Sequence, residues 1–69
     1  MPWFEVIVQH ANGSPARRWR VSNDYNFKDV YTDDQGRAVF EAGRSTVTVY
    51  VDGKDCGTAR AGRMVVTVK

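Results

Sequence analysis

The chain has one cysteine, Cys56, and one histidine, His10, among its 69 residues. A lone cysteine excludes an internal disulfide, so no covalent staple supports the fold. A lone histidine excludes a histidine-rich zinc site, and His10, Cys56 and the carboxylates match no ligand spacing for a mixed site. No metal and no cofactor are expected. Long apolar runs are also missing: nothing approaches the roughly 20 residues that a membrane-spanning helix requires, and no membrane partner is expected. The segment Met1 to His10 has no basic leader and its apolar run is broken by Glu5, so it does not read as a signal peptide. The expectation from these absences is a reduced, soluble, cytoplasmic protein. Helical spacing with caps is found nowhere, and charge of one sign is scarce. The formal charge is +2 with acids and bases interleaved, so composition alone does not point to nucleic acid.

What is present is an ordinary globular balance, 42% hydrophobic and 26% charged, in a chain too short for a second core. Residues 1–69 are therefore read as a single β-sandwich domain. A chain of this size buries only about 60% of the surface its unfolded form exposes, so each large apolar residue counts. Eight aromatics, Trp3, Phe4, Trp19, Tyr25, Phe27, Tyr31, Phe40 and Tyr50, are available for that purpose.

The hydrophobic pattern has a period of two almost throughout, which is the period of strands. Phe4, Val6 and Val8 share one face of the first segment; Trp3, Glu5, Ile7 and Gln9 share the other. Ala11 to Pro15 is a breaker cluster suited to a turn. Ala16 to Val21 resumes extension, with Trp19 and Val21 inward and Arg18 and Arg20 outward. Ser22 to Asn26 reads as a loop and Phe27 to Tyr31 as a short strand. Arg37 to Glu41 places Ala38 and Phe40 on one face, and Ser45 to Val51 places Val47, Val49 and Val51 opposite Thr46, Thr48 and Tyr50. Asp52-Gly53 then calls for a tight hairpin, with a returning strand from Lys54 to Arg60. Ala61-Gly62-Arg63 makes a turn, and Met64 to Val68 is the last strand. Strands at this spacing indicate a small all-β, antiparallel, Greek-key-like sandwich of six or seven strands.

The segment Thr32-Asp33-Asp34-Gln35-Gly36-Arg37-Ala38-Val39-Phe40 is the most distinctive. Asp33 and Asp34 offer side-chain acceptors to the backbone and Gly36 a permissive φ, so the turn has a chemical cause. The oxygen-rich spacing of a calcium loop is absent, and both acids are read as turn formers. Together with Asn12-Gly13-Ser14-Pro15-Ala16, Val47 to Gly53 and the last valine-rich strand, this segment resembles the carboxypeptidase regulatory-like or transthyretin-like domains. The resemblance implies a prealbumin-like β-sandwich of the kind used as an accessory or adhesion-type module. The chain departs from the pattern in being short and in the stretch Ser22 to Tyr31.

Two features bear on binding. Arg17, Arg18 and Arg20 cluster around Trp19, suited to phosphates or to an acidic partner; alternatively they shield a solvated edge strand. Tyr25, Phe27 and Tyr31 lie in or beside an irregular segment with Asn23 and Asn26, a composition suited to recognition; alternatively Phe27 and Tyr31 plug the end of a small core. A nucleophilic role for Cys56 would require His10 within hydrogen-bond reach, and a half-buried packing residue is the simpler reading. The leading expectation is a non-enzymatic interaction module with a protein partner. A nucleic-acid-binding barrel using the arginines and aromatics is the alternative, and open valine-rich edges suggest a homodimer.

Overall fold

A computed structural model describes residues 2–68 of the chain. The alternating segments form seven strands: β1 (Trp3–His10), β2 (Arg20–Asn23), β3 (Val30–Tyr31), β4 (Arg37–Glu41), β5 (Thr46–Val51), β6 (Lys54–Arg60) and β7 (Gly62–Val68). They build two sheets, a three-stranded one in the order β4-β1-β7 and a four-stranded one in the order β3-β2-β5-β6. The all-β, two-sheet architecture expected from the alternation is the observed fold, and no helix occurs among the described residues.

The core follows from the period-two pattern. Phe4, Val6 and Val8 of β1, Ala38 and Phe40 of β4 and Val66 of β7 point inward from one sheet. Val21 of β2, Val47, Val49 and Val51 of β5 and Ala59 of β6 meet them from the other. Phe4 and Phe40 are direct partners across β1 and β4, and their rings stack with centroids 5.3 Å apart. Such aromatic pairs contribute beyond the area they remove from water.

Three loops depart from the expectation, each for a local reason. The strand expected over Ala16 to Val21 is confined to Arg20 onward, because Arg18 adopts φ 59 in the left-handed region. The Arg18 N–H donates to the Thr32 carbonyl and the Thr32 N–H to the Trp19 carbonyl, both at 3.0 Å, so two residues face one as in a β-bulge. Arg18 therefore lies outside the strand alternation, and it reaches the cleft that it shares with Arg20 from the bulge. The strand expected over Phe27 to Tyr31 shrinks to Val30 and Tyr31. Buried Asn23 accepts the N–H groups of Tyr25 and Asn26 on Oδ1, and its carbonyl accepts that of Phe27 at φ 56, closing a turn where extension was expected. Finally, the turn expected at Ala61 to Arg63 is shorter: β7 begins at Gly62. The chain crosses there from one sheet to the other, so β7 runs parallel to β1 while the other strand pairings are antiparallel.

The Thr32 to Phe40 segment is built as a hydrogen-bonded knot. Asp33 Oδ1 accepts the N–H of Gln35 at 2.8 Å and of Arg37 at 3.0 Å. These bonds to the ionised form hold the Asp33 carboxyl below its ordinary range. Asp34 makes no side-chain hydrogen bond among the described residues, so the turn rests on Asp33. Buried Thr32 donates its hydroxyl to the Ala16 carbonyl at 2.6 Å and accepts the Trp19 N–H at 2.9 Å. Gly36, at φ 76, closes on β1. At the β5–β6 hairpin Asp52 and Gly53 have φ 52 and 81, the paired positive values of the tight turn expected there.

Candidate recognition surface

The outer face of the four-stranded sheet gathers groups that lie far apart in the chain. Arg20 and Ser22 alternate outward on β2; Tyr31 of β3 is the register partner of Arg20, and Tyr50 of β5 is that of Ser22. Directly opposed residues on one face sit about 4.5–5.5 Å apart at Cβ and diagonal ones about 7–8 Å, so Tyr31 stands beside Arg20 and Tyr50 on its diagonal. Phe27 reaches over the same face from the Asn23 turn, and its ring lies 6.4 Å from that of Tyr50 at an interplanar angle of 22°. Phe27 and Tyr31 remain 67% and 61% exposed, which excludes them as plugs of the core.

Two shallow clefts meet at Arg20. One, of about 380 Å³, is lined by Arg18, Trp19, Tyr31 and Asp52 as well. The other, of about 220 Å³, adds Ser22, Phe27, Asp29, Tyr50 and Gly53. The arginines that enter ion pairs among the described residues are Arg37, Arg44 and Arg63. Arg17, Arg18 and Arg20 are in none, so the acids that line the clefts leave these guanidiniums free to meet a ligand.

Of the six residues singled out from the sequence, Arg18, Arg20, Phe27 and Tyr31 converge on this face. Arg17 is exposed in the bulged turn and lines neither cleft. Tyr25 is turned elsewhere: the Arg44 guanidinium sits 5.5 Å from its ring centroid while donating to the Asp24 carbonyl at 2.9 Å. Tyr50 and Trp19 belong to the surface but were not singled out. The alternation of β5 placed Tyr50 on the outer face; what it could not supply was the register that sets Tyr50 beside Ser22.

Other chemistry-bearing groups stay apart. Half-buried Cys56 has Sγ 3.5 Å from the Lys54 carbonyl and lines a third cleft of about 400 Å³ with Trp19, Val51 and Val68. His10 packs edge-on against Trp19 at 6.0 Å. No group of three or more His, Cys, Asp or Glu side chains placed to hold a metal occurs among the described residues. On the opposite sheet Glu5 accepts from Arg63 at 2.7 Å and Arg37 at 3.3 Å, between exposed Trp3, Val39 and Val65. The hydrogen bond from Arg63, reinforced by Arg37, keeps the Glu5 carboxyl below its usual value.

No family model and no curated protein matches the chain. Among solved structures it is similar to the C-terminal domain of the PapC usher, with a TM-score of 0.48 and 19% identity over 96% of this chain and 99% of that one. The β-sandwich implied by the resemblance to carboxypeptidase regulatory-like and transthyretin-like domains is present, and no family model supports membership of that family. The cytoplasmic location expected from the sequence is corrected to no assigned location: the similar solved domain is that of an usher. A single cysteine and an acid-broken first segment carry no compartment of their own. No helix among the described residues is long and apolar enough to cross a membrane.

Proposed function

We propose that the protein is a non-enzymatic recognition module whose contact surface is the outer face of β3-β2-β5. Its partner is a protein segment that presents acidic and apolar side chains together. One observation carries this reading: Arg20, in no ion pair, lies between Tyr31 and the Phe27–Tyr50 pair on a hydrogen-bonded sheet. A guanidinium fork matches a carboxylate geometrically, and tyrosine and phenylalanine supply contact area with few rotors to immobilise. The sheet holds Arg20 and Tyr31 in place before binding, which lowers the ordering cost of association.

Single-stranded nucleic acid is the second reading, because Phe27, Tyr50 and the guanidiniums resemble a stacking platform. Asp29 and Asp52 weigh against it: they line the two clefts beside Arg20, and they repel a backbone charged at every nucleotide more than a peptide that brings one carboxylate to Arg20. Titration of isotope-labelled protein with an acidic, aromatic-containing peptide and with oligothymidylate separates the two. Shifts at Arg20, Ser22, Tyr31 and Tyr50 with the peptide support the proposal; shifts there with the oligonucleotide alone overturn it in favour of the second reading.

A further inference from the structure

The edges of the two sheets are β4, β7, β3 and β6, and they are not equally protected. An unpaired edge invites another strand unless it is short, charged, bulged or covered. β3 has two residues. β6 has a register shift opposite Thr48 and Tyr50, Gly57 at φ 95 in its middle, and Lys54, Asp55 and Arg60 near its ends. β4 is five residues long with Arg37 and Glu41 at its ends.

β7 carries the fewest of these devices. Its seven residues pair with β1 in unbroken register from Phe4↔Gly62 to His10↔Val68, with no proline and no bulge. Its one charge, Arg63, is held by Glu5 at 2.7 Å. Val65 is 55% exposed on the outer side, and Met64 and Val68 on the core side stay half-buried. The cause is the facing strand: β6 supplies Ala59 to the core and Cys56 only in part.

We infer that β7 is a self-pairing edge, joining β7 of a second copy antiparallel across a two-fold axis at Val65. The sequence of the strand fits its own reverse at that register. Val65 meets Val65, Arg63 meets Thr67, and on the core side Met64 meets Val66. Centring the pair on Arg63 would oppose two like charges, which is destabilising in a sheet. The Val65 register joins the three-stranded sheets of both copies into one continuous sheet, β4-β1-β7 followed by its symmetry mate. It also covers the flank along which Met64 and Val68 are open. This contact lies on the sheet opposite Arg20 and Tyr31, so both surfaces operate at once.

Two variants test it. In sedimentation velocity the wild-type chain forms a dimer as concentration rises into the high micromolar range, and Val65→Lys weakens it about tenfold, with an unchanged far-ultraviolet circular dichroism spectrum. In a Cys56→Ser background, Val65→Cys cross-links under mild oxidation, because opposed Cα atoms roughly 4.5–5.5 Å apart suit a disulfide. Arg63→Cys does not, since four residues separate the two thiols along the strand, about 13 Å. A wild-type chain that stays monomeric overturns the inference. So does a dimer that cross-links equally well through Arg63→Cys.

Discussion

Gly36 closes on Val8 so tightly that only a hydrogen fits between them. The Val8 N–H donates to the Gly36 carbonyl at 2.7 Å, and a Cβ at position 36 would collide with the Val8 carbonyl oxygen. That oxygen already accepts the Ala16 N–H at 2.9 Å, so it has no freedom to retreat. One contact thus ties the turn before β4 to β1 and to the chain leading into β2.

Gly36→Ala is therefore expected to destabilise the fold by about 3 kcal/mol or more, from left-handed strain together with a displaced buried hydrogen bond. In a domain of this size that lowers the melting temperature by ~12 °C or more. Gly13→Ala is the control, because φ is 89 there and nothing lies within 4 Å of the added carbon. Its cost is confined to backbone strain, about 1–2 kcal/mol. Thermal melts of the two variants should separate clearly; equal melting temperatures would refute the close approach.

Thr32 makes the second tie. Its hydroxyl satisfies the Ala16 carbonyl and the Trp19 N–H in a site only 3% exposed. Thr32→Val keeps the shape and strands both backbone groups, and is expected to cost about 2–3 kcal/mol in denaturant titration. Thr32→Ser keeps the hydroxyl and should cost less, about 1 kcal/mol, for the lost methyl.

Glu5 provides a pH reading. Its carboxyl is held low first by the hydrogen bond from Arg63, and this native pKa lies below the ordinary value of 4.5. A depressed folded-state pKa contributes stability that is present above the unfolded pKa and is lost as pH falls through the folded one. A carboxyl-detected NMR titration should give Glu5 a midpoint below 4.5, moving upward in Arg63→Ala. An unchanged midpoint in that variant would remove Arg63 as the cause.

Much of this fold was legible in the residues. Phe4, Val6 and Val8, or Val47, Val49 and Val51, announce inward faces because burial on one side of a strand imposes period two. Asp52-Gly53 announced its hairpin through the φ values that its turn demands. The left-handed Arg18 was not legible, because an arginine has no preference for that region. It is held there by Thr32, fourteen positions later in the chain. The parallel pairing of β7 was hidden as well: Ala61 and Gly62 mark a change of direction without saying which sheet receives the strand. The candidate surface was half legible for the same reason. Arg20, Phe27 and Tyr31 carry the right chemistry, but only the register of β2 with β3 and β5 brings them to Tyr50.

Arg20→Ala and Tyr31→Ala should leave stability within about 0.5 kcal/mol of the parent, as exposed positions without ion pairs do. The same substitutions should weaken binding of an acidic peptide about tenfold each, the loss typical of a residue central to an interface. Arg17→Ala, outside both clefts, should change affinity little. Equal losses in Arg17→Ala and Arg20→Ala with none in the charge-neutral Tyr31→Ala would indicate attraction by net charge rather than a shaped surface.

The most direct test is the amide map of labelled protein titrated with an acidic, aromatic-containing peptide at low salt. A recognition face on β3-β2-β5 predicts that Arg20, Ser22, Tyr31 and Tyr50 shift together and saturate, while the outer residues of β1 stay unmoved. Shifts confined to Trp3, Val39 and Val65 on the opposite sheet, or none on either, would contradict it.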